Sequence, residues 1–225
     1  MNEDLRSGVL DALPLQLGIV PFALVTGIAA ADVGMTPAQA VGMSAIVFAG
    51  ASQLAAIELL GANAPLAVVV ATAVVINLRM LMYSASIAPH FRTYRRRTRA
   101  YLAYLLTDQA YAMSIAEYAD DRDRDRRSYY LGVAASIWLV WIVGTALGVV
   151  VGAGVPESWG LSFAVPLVFL ALLVPAMKDR PRTVAAIAGG AVAIVAADVP
   201  FNLGLLVGAL AGIAAGLLSA RGVDR

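Results

Sequence analysis

Three ionisable side chains, Glu58, Arg79 and Asp108, interrupt stretches of sequence that are otherwise apolar. If those stretches cross a bilayer, each charge near its centre costs about 2.5–3.5 kcal/mol on an insertion scale, so its presence calls for a use. The fork of an arginine suits a carboxylate, which makes Arg79 the candidate anion site. A carboxyl group that gains protons when desolvated and loses them beside an arginine is a candidate proton carrier or ammonium partner, which fits Asp108 and Glu58. Glu58 lies toward the end of its segment, where an interfacial position is the simpler reading. Ser52, Gln53, Asn77, Tyr83, Ser84, Ser86, Thr107 and Gln109 add hydrogen-bonding groups nearby. Such a density over consecutive segments implies a wet or ligand-filled cavity.

Spacing constrains how these residues can meet. Asn77 and Arg79 are two apart and cannot share a face of an ideal helix, so the backbone breaks there or the two face different partners. Arg79 and Tyr83 are four apart and can share one. Gly50-Ala51-Ser52-Gln53 permits close approach, and an unwound turn there would offer backbone groups to a ligand. A simpler alternative stays open, in which Arg79 and Asp108 pair only to hold helices together.

The elements that must position these residues follow from composition. The chain has 225 residues, 60% hydrophobic and 14% charged, with a mean hydropathy of +0.80. A soluble domain carries about 25% charged residues, so a soluble enzyme, a disordered chain and a nucleic-acid binder are excluded. Apolar segments lie near 12–31, 38–60, 65–88, 100–119, 129–153, 160–177, 183–197 and 199–220. About 20 residues of helix cross the hydrocarbon core, and backbone groups in lipid must be satisfied internally. The expected fold is an all-α polytopic bundle of seven or eight segments in one integral membrane domain, 1–225. Pro21, Gly50, Asn77, Pro166 and Gly189-Gly190 sit inside segments and mark candidate breaks. Ala29-Ala30-Ala31 resembles a signal cleavage site, but Glu3, Asp4 and Asp11 make a poor leader, so a retained first span is expected.

Zero cysteines exclude disulfides and thiolate metal sites, and His90 alone cannot build a histidine cluster. No metal, cofactor or catalytic role is therefore expected. Fifteen of the basic residues lie outside the apolar segments, in blocks at Arg6, 92–99, 122–127, 178–182 and the carboxyl end. With eight plain crossings the 92–99 block falls on the wrong face. If segments two and four are re-entrant, all fifteen lie on one face, as the positive-inside rule asks. The alternating run Asp120–Arg127 reads as a solvated connector, and Arg92–Arg99 as an anchor to anionic headgroups. Gly34–Leu60 weakly echoes Gly154–Met177, a possible repeat of 12–119 in 129–220.

Pro21-Phe22, Val47-Phe48-Ala49-Gly50-Ala51-Ser52-Gln53, Asn77-Leu78-Arg79, Met82-Tyr83-Ser84, Ala88-Pro89 and Leu106-Thr107-Asp108 together resemble the AzlC family, large subunits of branched-chain amino acid exporters. The resemblance runs over roughly 8–220. It implies export of leucine, isoleucine and valine driven by an ion gradient, and a small AzlD-type membrane partner. Two positions depart from the family pattern. Gln109 replaces a glutamate, which puts the coupling ion in question, and Ala23 replaces a glycine. The combined expectation is a secondary transporter. Arg79, Asn77, Ser52, Gln53, Tyr83 and Gly50 would form the substrate site, and Asp108 and Glu58 would couple the ion. A non-transporting structural subunit and a small-solute channel are the alternatives.

Overall fold

The computed structural model describes residues 3–120, 124–152, 170, 173–174, 177–197, 199 and 203–221, and helices are its only regular elements among them. Most of the sixth segment with Pro166, hence most of the Gly154–Met177 echo, lies outside the described residues, as do Asp198 and Pro200. In chain order the helices are α1 (Glu3–Asp32), α2 (Pro37–Val47), α3 (Gly50–Gly61), α4 (Leu66–Asn77), α5 (Arg79–Ile87), a 3-10 turn (Ala88–Phe91), α6 (Arg96–Tyr104), α7 (Asp108–Asp120), α8 (Arg126–Gly152), α9 (Arg180–Val195) and α10 (Leu203–Arg221). Glu3–Asp32, Leu66–Phe91, Arg126–Gly152 and Leu203–Ala220 are long and apolar enough to cross a membrane.

The chain forms two compact units, Met1–Gln53 with Ile76–Val155, and Leu54–Val75 with Pro156–Arg225. The first is organised on α1 and α8, which run parallel. A Cβ at Gly8 would meet Tyr129 O at 2.3 Å, one at Gly132 would meet Leu5 O at 2.2 Å, and one at Gly148 would meet Leu24 O at 2.2 Å. Between them Ala23, fully buried, sits against Gly144. In lipid the apolar face of a helix gains little by meeting another, so small residues that let backbones touch must supply the contact. α1 continues for 30 residues with Pro14 and Pro21 inside it, so Pro21 does not break the first segment. Membrane helices tolerate proline where neighbours re-satisfy the backbone, and α8 lies along this one.

Segments two, three and four are each interrupted, and two of them fold back. Segment two reverses at Phe48–Ala49, where Phe48 takes a left-handed conformation (φ 40°, ψ 48°). One turn into α3, Gln53 returns to Ser44 of α2. Segment four enters and leaves at one end of the unit. Tyr94, just before α6, lies under the Arg127 guanidinium at 5.7 Å, and Phe91 packs on Tyr130 at 5.1 Å. Tyr104, the last residue of α6, accepts from Trp138 Nε1 at 2.8 Å, roughly 18 Å along α8. α7 then descends until the Tyr118 hydroxyl donates to Arg126 O at 2.6 Å. This hairpin puts the 92–99 arginines at the end where α1 and α8 begin, with Arg6, Arg124, Arg126 and Arg127. That is the placement the basic residues required. Segment three is only nicked, at Leu78, whose dihedrals stay helical while Leu81 N bonds back to Leu78 O.

The described residues just before α8, Arg124 and Asp125, depart from expectation. Instead of a solvated connector, Arg124 pairs with Glu117 at 2.9 Å and Asp4 at 3.9 Å and donates to Ser7, tying α7 to α1. Asp125 caps α8, accepting from Arg127 N at 3.2 Å and from Ser128 Oγ at 2.6 Å. A carboxylate at a helix start satisfies donors that have no intrahelical partner, and this one has side-chain and backbone acceptance to do.

In the second unit α9 and α10 pack antiparallel with backbones in contact. A Cβ at Gly208 would meet Gly189 O at 2.8 Å, and one at Gly212 would meet Ala185 O at the same distance. Gly189 therefore marks close packing, Gly189-Gly190 lies inside the continuous α9 and not at a break, and α9 is capped by Asp179, which accepts from Arg182 N.

Two stability outcomes follow. Gly148→Ala forces α1 and α8 apart and costs about 1–3 kcal/mol, whereas Gly18→Ala, with nothing within 4 Å of the added carbon, is neutral or better; unfolding in detergent micelles compares them. The Ser128 hydrogen bond holds the Asp125 carboxyl below its usual range. A depressed carboxyl contributes stability above the ordinary carboxylate range and loses it as pH falls through its own lowered value. Asp125→Ala should thus cost about 1 kcal/mol at neutral pH, and the difference from wild type should close on acidification.

Candidate functional site

The interruptions coincide with the polar residues singled out above. α3 begins at Gly50, α4 ends at Asn77, α5 begins at Arg79, and α7 begins at Asp108 after Thr107. A helix start leaves N–H donors without intrahelical partners, and in a membrane such an end survives only where protein or a polar ligand covers it. Thr107 covers part of the α7 start, its hydroxyl accepting from Ala110 N at 3.2 Å. Asp108 in that first turn also sits at the positive end of the helix dipole, a favourable place for a carboxylate.

Around α5 and α7 the site is charged. Arg79 Nη1 lies 3.6 Å from Asp108 Oδ2, close enough to attract and too far for the short, strong hydrogen bond of a bidentate pair. Arg79 Nε and Asn77 Oδ1 are buried and have no hydrogen-bond partner. Tyr83, on the Arg79 face of α5, stacks on Tyr111 of α7 with ring centroids 4.7 Å apart, and the Tyr111 hydroxyl donates to Ser86 Oγ at 2.9 Å. The two half-helices are thus held by an aromatic stack and a hydroxyl bond, and the charged pair is not their sole tie. About a third of the Arg79 side chain and 40% of that of Asp108 remain accessible.

Around α2, α3 and α8 the site is neutral and buried. Gln53 Nε2 donates to Ser44 Oγ at 2.6 Å, and Ser44 Oγ donates to Thr145 Oγ1 at 3.2 Å, all three residues fully buried. Gln53 Oε1 and Trp141 Nε1 have no hydrogen-bond partner. Gly50 is required by packing, since an added Cβ would lie 2.8 Å from both Phe22 and Trp141, which themselves meet edge to face at 5.3 Å. Ser52 uses its hydroxyl locally, donating to Ala49 O at 3.0 Å. Tyr104 links the two parts. Its ring lies 6.2 Å from Phe48, its hydroxyl donates to Ala45 O, and three residues later the chain reaches Thr107.

The structure therefore gathers Arg79, Asn77, Tyr83 and Asp108 in one cluster, and Gln53 and Gly50 in the other. Glu58 is exposed and belongs to the second unit. Ser44, Thr145, Trp141 and Tyr111 were not singled out by sequence. Tyr111 had a usable signal, three residues after Asp108 and so on its face. Ser44 and Thr145 are single small polar residues among apolar ones, which membrane helices carry for many reasons. Among the described residues no group of three or more acidic or histidine side chains could hold a metal ion.

These features define a polytopic membrane protein with interrupted helices converging on a polar site. The family model described as AzlC protein matches residues 14–155, which contain both clusters, and the chain belongs to the AzlC family. It is 27% identical to the inner membrane protein YgaZ of Escherichia coli over 95% of this chain and 88% of that one. It is 31% identical to a membrane protein of Archaeoglobus fulgidus over 92% and 91%. The branched-chain amino acid transport protein AzlC of Bacillus subtilis is 23% identical over 82% and 72%. No solved structure matches the chain. The family is one associated with transport rather than catalysis.

Removing Ser44 strands the buried Gln53 amide, so Ser44→Ala should destabilise by about 1–3 kcal/mol, read by unfolding in micelles. Ser52→Ala removes only a local bond and should cost less.

Proposed function

We propose that the protein is a secondary transporter that exports branched-chain amino acids, a single domain over 1–225 working with a small AzlD-type membrane subunit. The observation that carries this reading is the half-made pair of Arg79 and Asp108. A guanidinium with an unpartnered Nε faces a carboxylate beyond hydrogen-bond distance, where membrane helices are interrupted. A zwitterion answers both groups at once, its carboxylate on Arg79 and its ammonium on Asp108. Discontinuous helices near the midplane are a recurrent way to present such a site in transporters. Asn77 and Tyr83 lie beside the pair to complete the hydrogen bonding, with Gln53 at the neighbouring break. The printed name of the Bacillus subtilis relative supports the substrate class. Asp108 is the carboxylate that this cluster offers for coupling to an ion.

The pair itself also fits a plain structural clamp, and one experiment separates the two. Labelled leucine counterflow is measured in vesicles, with and without the small subunit, for wild type, Arg79→Lys and Arg79→Ala. Loss of a charge-assisted contact predicts leucine binding about tenfold to a hundredfold weaker in Arg79→Ala, with smaller losses in Arg79→Lys. Unchanged counterflow per folded molecule in Arg79→Ala rules the carboxylate site out, and a variant that merely fails to fold or insert points to the clamp.

A further inference from the structure

At the end of the first unit where α1 and α8 begin, a cavity of about 260 Å³ lies between α5, the 3-10 turn, α6 and Tyr130 of α8. Ile87, Phe91, Leu102 and Leu106 give it apolar walls, and Arg92 and Arg99 line it as well. Neither arginine side chain has an ion pair or hydrogen bond among the described residues. Two guanidinium groups without counter-charge beside an apolar pocket call for a ligand that is anionic at one end and apolar at the other. The size narrows the class, because 260 Å³ falls just short of the roughly 300–1,000 Å³ typical of drug-sized ligands. A small branched carboxylate fits that description.

The position of the cavity is the second argument. Its lining includes Ser84, next to Tyr83, and Leu106, two residues before Asp108. It therefore reaches from the arginine-rich end of the re-entrant hairpin toward the break that holds Arg79 and Asp108. Like the hairpin, it lies on the side that the positive-inside rule makes cytoplasmic.

We infer that this cavity is a second amino acid subsite. A branched-chain amino acid rests there with its carboxylate on Arg92 and Arg99 and its side chain against Phe91, Leu102 and Leu106 before it reaches Arg79. The inference rests on the transport reading above and extends it to the cytoplasmic approach. An anionic phospholipid headgroup shares the same anion chemistry, so the test includes it.

The chain contains no cysteine, so Ala103→Cys, on an exposed wall residue, provides a single thiol. Its rate of maleimide labelling is measured in purified protein in neutral detergent with leucine, with leucinol, which lacks the carboxylate, or with phosphatidylglycerol. Leucine at ten times its dissociation constant should slow labelling about tenfold, and leucinol should not. Protection should persist with Arg79→Ala and disappear with Arg92→Gln/Arg99→Gln, whose exposed positions keep the fold intact. Equal protection by leucine and leucinol, protection that survives the double substitution, or no protection by leucine overturns the subsite. Protection by phosphatidylglycerol alone also overturns it and assigns the cavity to lipid. Leucine counterflow in the same Ala103→Cys protein reports on the other reading separately. Counterflow without protection sinks the subsite alone, and protection without counterflow supports the subsite while overturning transport.

Discussion

The backbone-to-backbone contact of α1 with α8 is the constraint from which the rest of the first unit follows. With Gly8 on Gly132 and Gly27 on Gly148, the two helices approach too closely for side chains to lie between them. One long face of α8 is consumed in this way, and what remains must anchor everything else. Tyr130 takes Leu102, Trp138 takes Tyr104, Trp141 takes Phe22 and the Gly50 turn, and Thr145 takes Ser44. Segments two and four are thus registered against one rod, and the heights of their breaks are set by which α8 residue each one meets.

That rod also explains how helices can stop inside a hydrocarbon layer. A break exposes backbone groups that lipid cannot satisfy, so it persists only where protein supplies partners. Ala45 O receives the Tyr104 hydroxyl, which is itself bonded by Trp138, and the α7 start receives Thr107. The left-handed Phe48, unfavourable for a residue with a side chain, is buried to 5% exposure with its ring beside Tyr104. The break between α2 and α3 is thus covered by the aromatic side chain of Tyr104, and the α7 start by the hydroxyl of the residue just before it.

Much of this was legible in sequence because cost leaves a trace. Charged residues in apolar runs, an Asn-x-Arg spacing that no ideal helix reconciles, and basic blocks that plain crossings put on the wrong face all pointed to broken or re-entrant segments two to four. Pro21 misled because proline's cost depends on neighbours, and α8 lies along α1 there. Arg124 misled because alternating charge looks alike in solvent and in a network; besides Glu117, what pins it is Asp4 and Ser7, more than a hundred residues away in the chain. The Ser44–Thr145 bond was hidden for the same reason, since nothing local tells a paired serine from one that packs. Glu58 carried the same apolar-run signal as Asp108, yet it sits in the last turn of α3 and belongs to the second unit.

The looseness of the Arg79–Asp108 pair is what suits it to the role proposed for it. A bidentate, buried pair would be a rival that the substrate must break, and breaking one strands both charges at a cost of about 3–5 kcal/mol. Here the ends are fixed independently, Asp108 by the α7 start and Arg79 by α5, while the Tyr83–Tyr111 stack keeps the two helices at a set separation. Attraction at 3.6 Å with partial solvent access is weak enough to yield to a ligand that offers each group a closer partner. It is also strong enough that neither charge is abandoned when the ligand leaves. A carrier needs both properties, because its site must be stable when empty if it is to return for the next molecule.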